Sequence, residues 1–320
     1  MTGHAATSQS GSGIAESFRS AIPSLAVVDD PQECALASSD IAGPGAATAA
    51  AILRPDSEEQ AAAIVSVARR EGCALFPRGG GWSYTGGYTP SQSPAAIVDA
   101  GLLRTISVER DAARVTAGAG ATWAALDDAL NAAGLRVPSF GPLSGIGATV
   151  GGLTAQDGGF FGTAGHGPVG ESSIISSTIV AGTGETVKLT ASDRADGIFA
   201  PQPLAGDCGA FGLRTAVTLA VMPRPATAKF GSFAFSQGED ALAALVSLAG
   251  IPGLGEVYVF DPGVHANLAR GGFSLSEGAS FASDLLAAGH GLSGLADVVR
   301  AARWTRSGIA DIGWSLHVCD

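Results

Sequence analysis

Apolar positions in this chain fall into short runs with a period near two or with no break at all. They are separated by glycine and proline turns and interrupted by a few stretches of helical period. Residues 50–55, AAILRP, read as a strand closed by Pro55. The following SEEQAAAIVSVARREG carries Ser57 as N-cap, acids in its first turn, arginines in its last and Gly72 beyond, which predicts a helix. CALFP, residues 73–77, is a second strand, so residues 50–77 predict a βαβ-like unit. AAIVDA (95–100) and RVTAGAG (114–120) are further strands. ATWAALDDALNAAG (121–134) has Thr122 as cap and Gly134 at its end, a second helix. Residues 176–190, SSTIVAGTGETVKLT, predict a hairpin, and FGLRTAVTLAVMP (211–223) a long strand. Beyond residues 223–225 the pattern changes to strand (229–235), helix (239–250), strand (256–260) and helical Ala and Leu segments. A last strand, GWSLHVCD, ends the chain without a partner in view.

These patterns divide the chain into a tail and helix (1–44), a first domain (45–225) and a second region (226–320), with the boundary near Pro225. Residues 1–13 read as a disordered tail and residues 14–20 as a short helix. The glycine-dominated stretch 141–170 is too rich in Thr, Val and Phe for a linker, and long loops inside a compact domain are usually functional.

Composition narrows the classes. Glycine accounts for 46 of 320 residues without any collagen period, so the glycines serve turns and close backbone approaches. The net charge of −11, from 18 basic and 29 acidic residues, speaks against nucleic-acid or anionic-membrane binding. Cysteines 34, 73, 208 and 319 form no C-x-x-C and have no zinc-ligand spacing, which fits reduced thiols and a cytoplasmic protein without a metal. The N-terminus has no signal-peptide pattern. The longest apolar stretch, residues 241–255, is too short to span a bilayer and contains Pro252, so no integral membrane segment is expected.

Candidate chemistry concentrates in three segments. FPRGGGWSYTGGY (76–88) places three glycines between a strand and a serine, leaving backbone N–H groups free to form an anion nest. GPLSGIGATVGG (141–152), continuing as LTAQDGGFFGTAGHG, combines hydroxyls with glycines. DCGAFGLRTAVTLAVMP is a Gly-x-x-Gly turn opening into a strand. A competing pattern, AGAGATWA (117–124), lacks the third glycine of a dinucleotide fingerprint. The three segments, in this order, resemble the FAD-binding domain of the vanillyl-alcohol-oxidase and p-cresol-methylhydroxylase superfamily. The likeness is nearest to its glycolate-oxidase and D-lactate-dehydrogenase-like branch.

The resemblance covers about residues 45–225. It implies an α+β fold: a PCMH-type FAD-binding domain of two α/β subdomains, followed by a partial α+β cap. It assigns Arg78, Gly79, Gly80, Gly81, Trp82 and Ser83 to the FAD pyrophosphate loop. Pro142, Ser144, Thr149, Gly151 and Gly152 would flank the isoalloxazine and diphosphate. Gly209 and Gly212 would lie toward the adenine or ribitol, and Ile179 and Val180 would offer backbone groups to the adenine. Relatives with covalent flavin carry a histidine where Trp82 stands, so FAD is expected to be non-covalent. His166 is read as a loop residue or an alternative attachment or catalytic group. The branch's H-x-G-D-G-N motif is absent, and His265, His290 and His317 look scattered, so no catalytic base is assigned. The implied activity is FAD-dependent oxidation of a small hydroxyl-bearing substrate, a 2-hydroxy acid or polyol, by hydride transfer to flavin N5, with oxygen or a carrier as electron acceptor. A flavin-binding protein without turnover remains open, as does self-association through an uncovered apolar face of residues 226–320. A flavin reductase like UDP-N-acetylenolpyruvoylglucosamine reductase is the third reading, although QDGGFFGTAGHG lacks its Asn-Ala-Gly signature.

Overall fold

The computed structural model describes residues 11–159, 161–190, 204–249, 251, 253–271 and 313–319. Of the expected features, residues 1–10 of the tail, the helical segments between 272 and 312 and His290 lie outside them. Residues 11–13, expected in the tail, belong instead to the helix Gly11–Ala21. The chain divides into two compact units, Met1–Ala226 and Thr227–Asp320.

In the first unit a four-stranded sheet runs in the order Ala26–Val28, Ala51–Arg54, Ala95–Asp99, Ala74–Arg78. The last three strands are parallel, and Ala26–Val28 pairs antiparallel with Ala51–Arg54. The predicted βαβ unit is present, but its two strands are not neighbours: Ala95–Asp99 lies between them. Helix Glu58–Glu71 makes the crossover. The Ser57 hydroxyl accepts from the Gln60 amide, acids and arginines sit at the favourable ends of the dipole, and Gly72 leaves the helix with φ +63°. Its Ala61, Ile64, Val65 and Ala68 pack with Ile14, Phe18 and Leu53 into one buried cluster.

A second, antiparallel sheet has the order Thr186–Thr190, Ile174–Ala181, Gly212–Ala220, Arg114–Gly118, Ile106–Glu109. The predicted long strand is its central strand, and the predicted hairpin lies beside it with Thr186–Thr190 on the edge. Helix Trp123–Ala132, capped by Thr122, covers it through Leu126 and Leu130, joined by Val150, Val169 and Leu219. Stretch 141–172 contains three short helices, Val150–Ala155, Thr163–His166 and Val169–Ser172.

The Thr227–Asp320 unit contains a three-stranded antiparallel sheet, Phe230–Phe235, Trp314–Cys319, Glu256–Phe260 in that order, with helix Gly238–Ala249. The expectation of a final strand without a partner is therefore wrong. Trp314–Cys319 is the central strand, paired on both edges, and its Leu316 is fully buried. The pairing is non-local, so the linear pattern could not show it. The apolar exposure lies elsewhere, at Phe230 and Phe233 on the neighbouring strand and Leu242 and Val246 on the helix.

Candidate functional site

The strand Ala74–Arg78 delivers Arg78 and the glycine loop 79–83 to the start of helix Val150–Ala155. Thr149 caps that helix, its hydroxyl accepting from the Gly152 amide at 3.2 Å. Loop 148–151 is fixed by three backbone bonds: Trp123 N–H to the Ala148 carbonyl, Val150 N–H to Ala121 and Gly151 N–H to Ala119. The glycine loop rests on this platform. A Cβ on Gly79 would overlap the Thr149 hydroxyl, one on Gly80 the carbonyl of Gly147, and one on Gly147 the indole of Trp82. The loop and residues 147–152 are thus in direct contact. Close approach is required at Gly80, whereas the positive φ of the triplet, +75°, belongs to Gly81.

Arg78 lies 5.4 Å over the Tyr88 ring and 4.0 Å from Asp99, a carboxylate that also pairs with Arg54 at 3.4 Å. The Tyr88 hydroxyl lies within hydrogen-bond reach of the carbonyls of Ser39 (2.9 Å) and Gly81 (3.1 Å), tying the loop down; burial raises its pKa. The Nε–H of Arg78 is buried without a partner.

Three cavities follow one another along this platform. The largest, about 500 Å³, is walled by the loop from Gly79 through Thr85, by Pro142 to Ser144 and by residues 152–159. A narrow cavity of about 60 Å³ adjoins it and shares Gly79, Gly152, Ala155 and Cys208 with it. The third, about 360 Å³, shares Pro77, Gly209 and Gly212 with the narrow one and reaches Arg69, Gln92 and Val180. Two wide spaces joined by a waist suit a ligand with a ring system at each end and a thin polar middle, which is the outline of FAD.

The expected residues fall along this line. Gly80, Gly81, Trp82, Ser83, Pro142, Ser144 and Thr149 face the large cavity. Arg78 and Gly151 line the waist, Gly79 and Gly152 border both, and Gly209 and Gly212 join the waist to the third cavity, where Val180 also lies. Ile179 is outside all three walls; it is buried in the sheet, paired with Val187 and Arg214. His166 is exposed at the end of helix Thr163–His166 and lines none of them. Partial desolvation of its ring and the nearby Arg136 lower its pKa. The sequence reading missed Tyr88, Gln156, Cys208 and Arg214. Tyr88 closes the quoted motif, and Arg214 carried a signal of its own: a lone cation inside an apolar strand.

The second unit holds a further polar group. His265 and His317, scattered in sequence, meet on Ser315, whose hydroxyl lies 2.9 Å from His265 Nε2 and 2.7 Å from His317 Nε2. His317 Nδ1 lies 2.9 Å from the Ser232 hydroxyl. Burial and His265 depress the pKa of His317. An imidazole with a folded pKa below its unfolded value of about 6.5 binds protons more readily when unfolded. The unit is therefore expected to lose stability as pH falls through that value. Melting at pH 7.5 and 5.5 checks this, with His317→Gln expected to lessen the difference. Equal pH dependence in both proteins would refute the assignment.

Comparison with known proteins bears on this geometry. An FAD binding domain family matches residues 49–190. The D-lactate dehydrogenase of Archaeoglobus fulgidus is 27% identical over 216 residues, covering 65% of this chain and 47% of that protein. Among solved structures, alkyldihydroxyacetonephosphate synthase superposes with a TM-score of 0.72 at 18% identity, covering 99% of this chain and 57% of the other. The BBE-like 1 protein of Physcomitrella patens gives 0.64 at 21% identity, over 78% and 54%. The chain thus spans about half the length of these relatives. The match at 49–190, the glycine platform and the paired cavities agree: the chain carries an FAD-binding domain and FAD is its cofactor, in keeping with the resemblance to the vanillyl-alcohol-oxidase and p-cresol-methylhydroxylase superfamily.

Proposed function

We propose that the protein is an FAD-dependent oxidoreductase that oxidises a small hydroxyl-bearing substrate, a 2-hydroxy acid or a polyol. The observation that carries this reading is the large cavity beside the glycine loop, with room for a flavin ring and a small molecule together. Its likeness to a D-lactate dehydrogenase supports the hydroxy-acid class. When bound, the flavin supplies a hydride acceptor at N5. The chain's own contribution is to hold it: Arg78 and Gly79, where the glycine loop begins, border the waist with Gly151 and Gly152 and hold the diphosphate, while Gly80 to Ser83, Pro142, Ser144 and Thr149 wall the ring. Residues 226–320 act as the substrate cap, and oxygen or a carrier takes the electrons. No described helix is long and apolar enough to cross a membrane. The isolated thiols Cys34, Cys73 and Cys208 favour a reducing, cytoplasmic setting.

A second reading, a flavin-binding protein without turnover, is favoured by the wall itself. Among the described residues lining the large cavity there is no histidine, lysine or arginine, and the one carboxylate, Asp157, accepts from the Gly170 amide at 2.8 Å. Anaerobic titration of the flavin-loaded protein with 2-hydroxy acids, polyols and NADPH separates the readings. Bleaching by a hydroxy acid or polyol supports the oxidoreductase, bleaching by NADPH alone a reductase, and an unchanged spectrum the binder.

The flavin is held without a covalent bond in this reading. Trp82 lacks a nucleophile and packs its indole on Gly147. Acid precipitation is expected to leave the yellow colour in the supernatant; a yellow pellet would overturn non-covalent binding.

A further inference from the structure

We propose that Arg214 binds the FAD diphosphate, acting with Arg78 at the waist between the two larger cavities. The inference rests on FAD lying along the three cavities.

Arg214 sits in Gly212–Ala220, a central strand of the antiparallel sheet, with its side chain 6% exposed. An unpaired cation in such a place is costly, and burial indeed lowers its pKa. Four hydrogen bonds hold the guanidinium. Nη1 donates to the Gly151 carbonyl and the Thr154 hydroxyl, both at 3.1 Å. Nη2 donates to the Leu204 carbonyl at 2.5 Å and to Asp207 at 3.0 Å. A guanidinium has five N–H donors, and the fifth, on Nε, is buried with no partner. A brace between helix Val150–Ala155 and residues 204–207 needs only the four. The remaining donor belongs to a side chain that lines the waist.

Arg78 repeats the pattern. It lines the same cavity from the end of Ala74–Arg78, and its Nε–H is also buried and unpaired. The wall of the waist therefore presents two arginines. Their carboxylate partners, Asp99 and Asp207, are not part of it. A narrow passage walled by glycines and two arginines, each with a buried N–H that has no partner, and with no acid among its lining residues, suits a doubly charged phosphate linkage.

The test compares FAD with riboflavin, which has the same ring but no phosphate, by fluorescence titration of the full chain stripped of flavin. Arg214→Met alone would leave Asp207 buried and unpaired, so it is combined with Asp207→Asn. Arg214→Lys, which keeps the charge beside Asp207 but lacks the Nε–H, is the second variant. Each folded variant is expected to bind FAD about ten- to a hundred-fold more weakly, with riboflavin binding changed less than about two-fold. FAD affinity unchanged, equal losses for both ligands, or failure of both variants to fold would mean that Arg214 only braces the walls, and would overturn the proposal. If the wild-type chain binds no FAD, the cofactor reading itself fails.

Discussion

Gly80→Val is expected to strip the protein of FAD, weakening binding by about a hundred-fold or more while leaving a folded chain. A branched side chain at this position overlaps the Gly147 carbonyl, so the loop 79–83 must lift from the platform at the start of helix Val150–Ala155. The three buried clusters do not include the loop, so the cores survive the change. Flavin absorbance of the purified variant and its melting curve give the result together. Wild-type occupancy would show that the loop does not shape the cofactor site. A protein that no longer folds would show that the platform supports the cores.

The second large effect is expected from ending the chain after Ala226. All three buried clusters lie between Ile14 and Val221, and every cavity along the proposed cofactor line is walled by residues of that same unit. The shortened chain should therefore melt cooperatively and bind FAD within about three-fold of the full chain's affinity, a difference below about 1 kcal/mol. Turnover should be abolished, because the resemblance assigns substrate recognition to the removed region. Any self-association should go with it, since Phe230, Phe233, Leu242 and Val246 are then absent. An aggregating product without flavin would place the domain boundary elsewhere; unaltered turnover would remove the cap from the mechanism.

How much of this was legible beforehand depended on whether the cause was local. Helix Glu58–Glu71 announced itself because cap, charges and terminal glycine all lie within its own span. Ile106–Glu109 did not, since Ile-Ser-Val-Glu alternates over only four residues, the shortest run in which the two-residue period can be read. The helices Thr163–His166 and Val169–Ser172 are too short to be stable alone and exist only where the surrounding packing holds them. The same limit applies to the site. A glycine triplet is visible as such, but the carbonyl that requires Gly80 to be glycine lies sixty-seven positions away, at Gly147 (147 − 80). Ser315 and His317 share one strand, but His265 reaches them from helix Pro262–Gly271, fifty positions before Ser315.

The waist has a kinetic consequence. FAD lying along the three cavities would be held at its thin middle, where the passage is only about 60 Å³. The Arg214 bonds to Gly151, Thr154, Leu204 and Asp207 fix the width of that passage. Any local opening that widens it must break them, so flavin release by that route would carry the steep temperature dependence of a local unfolding step.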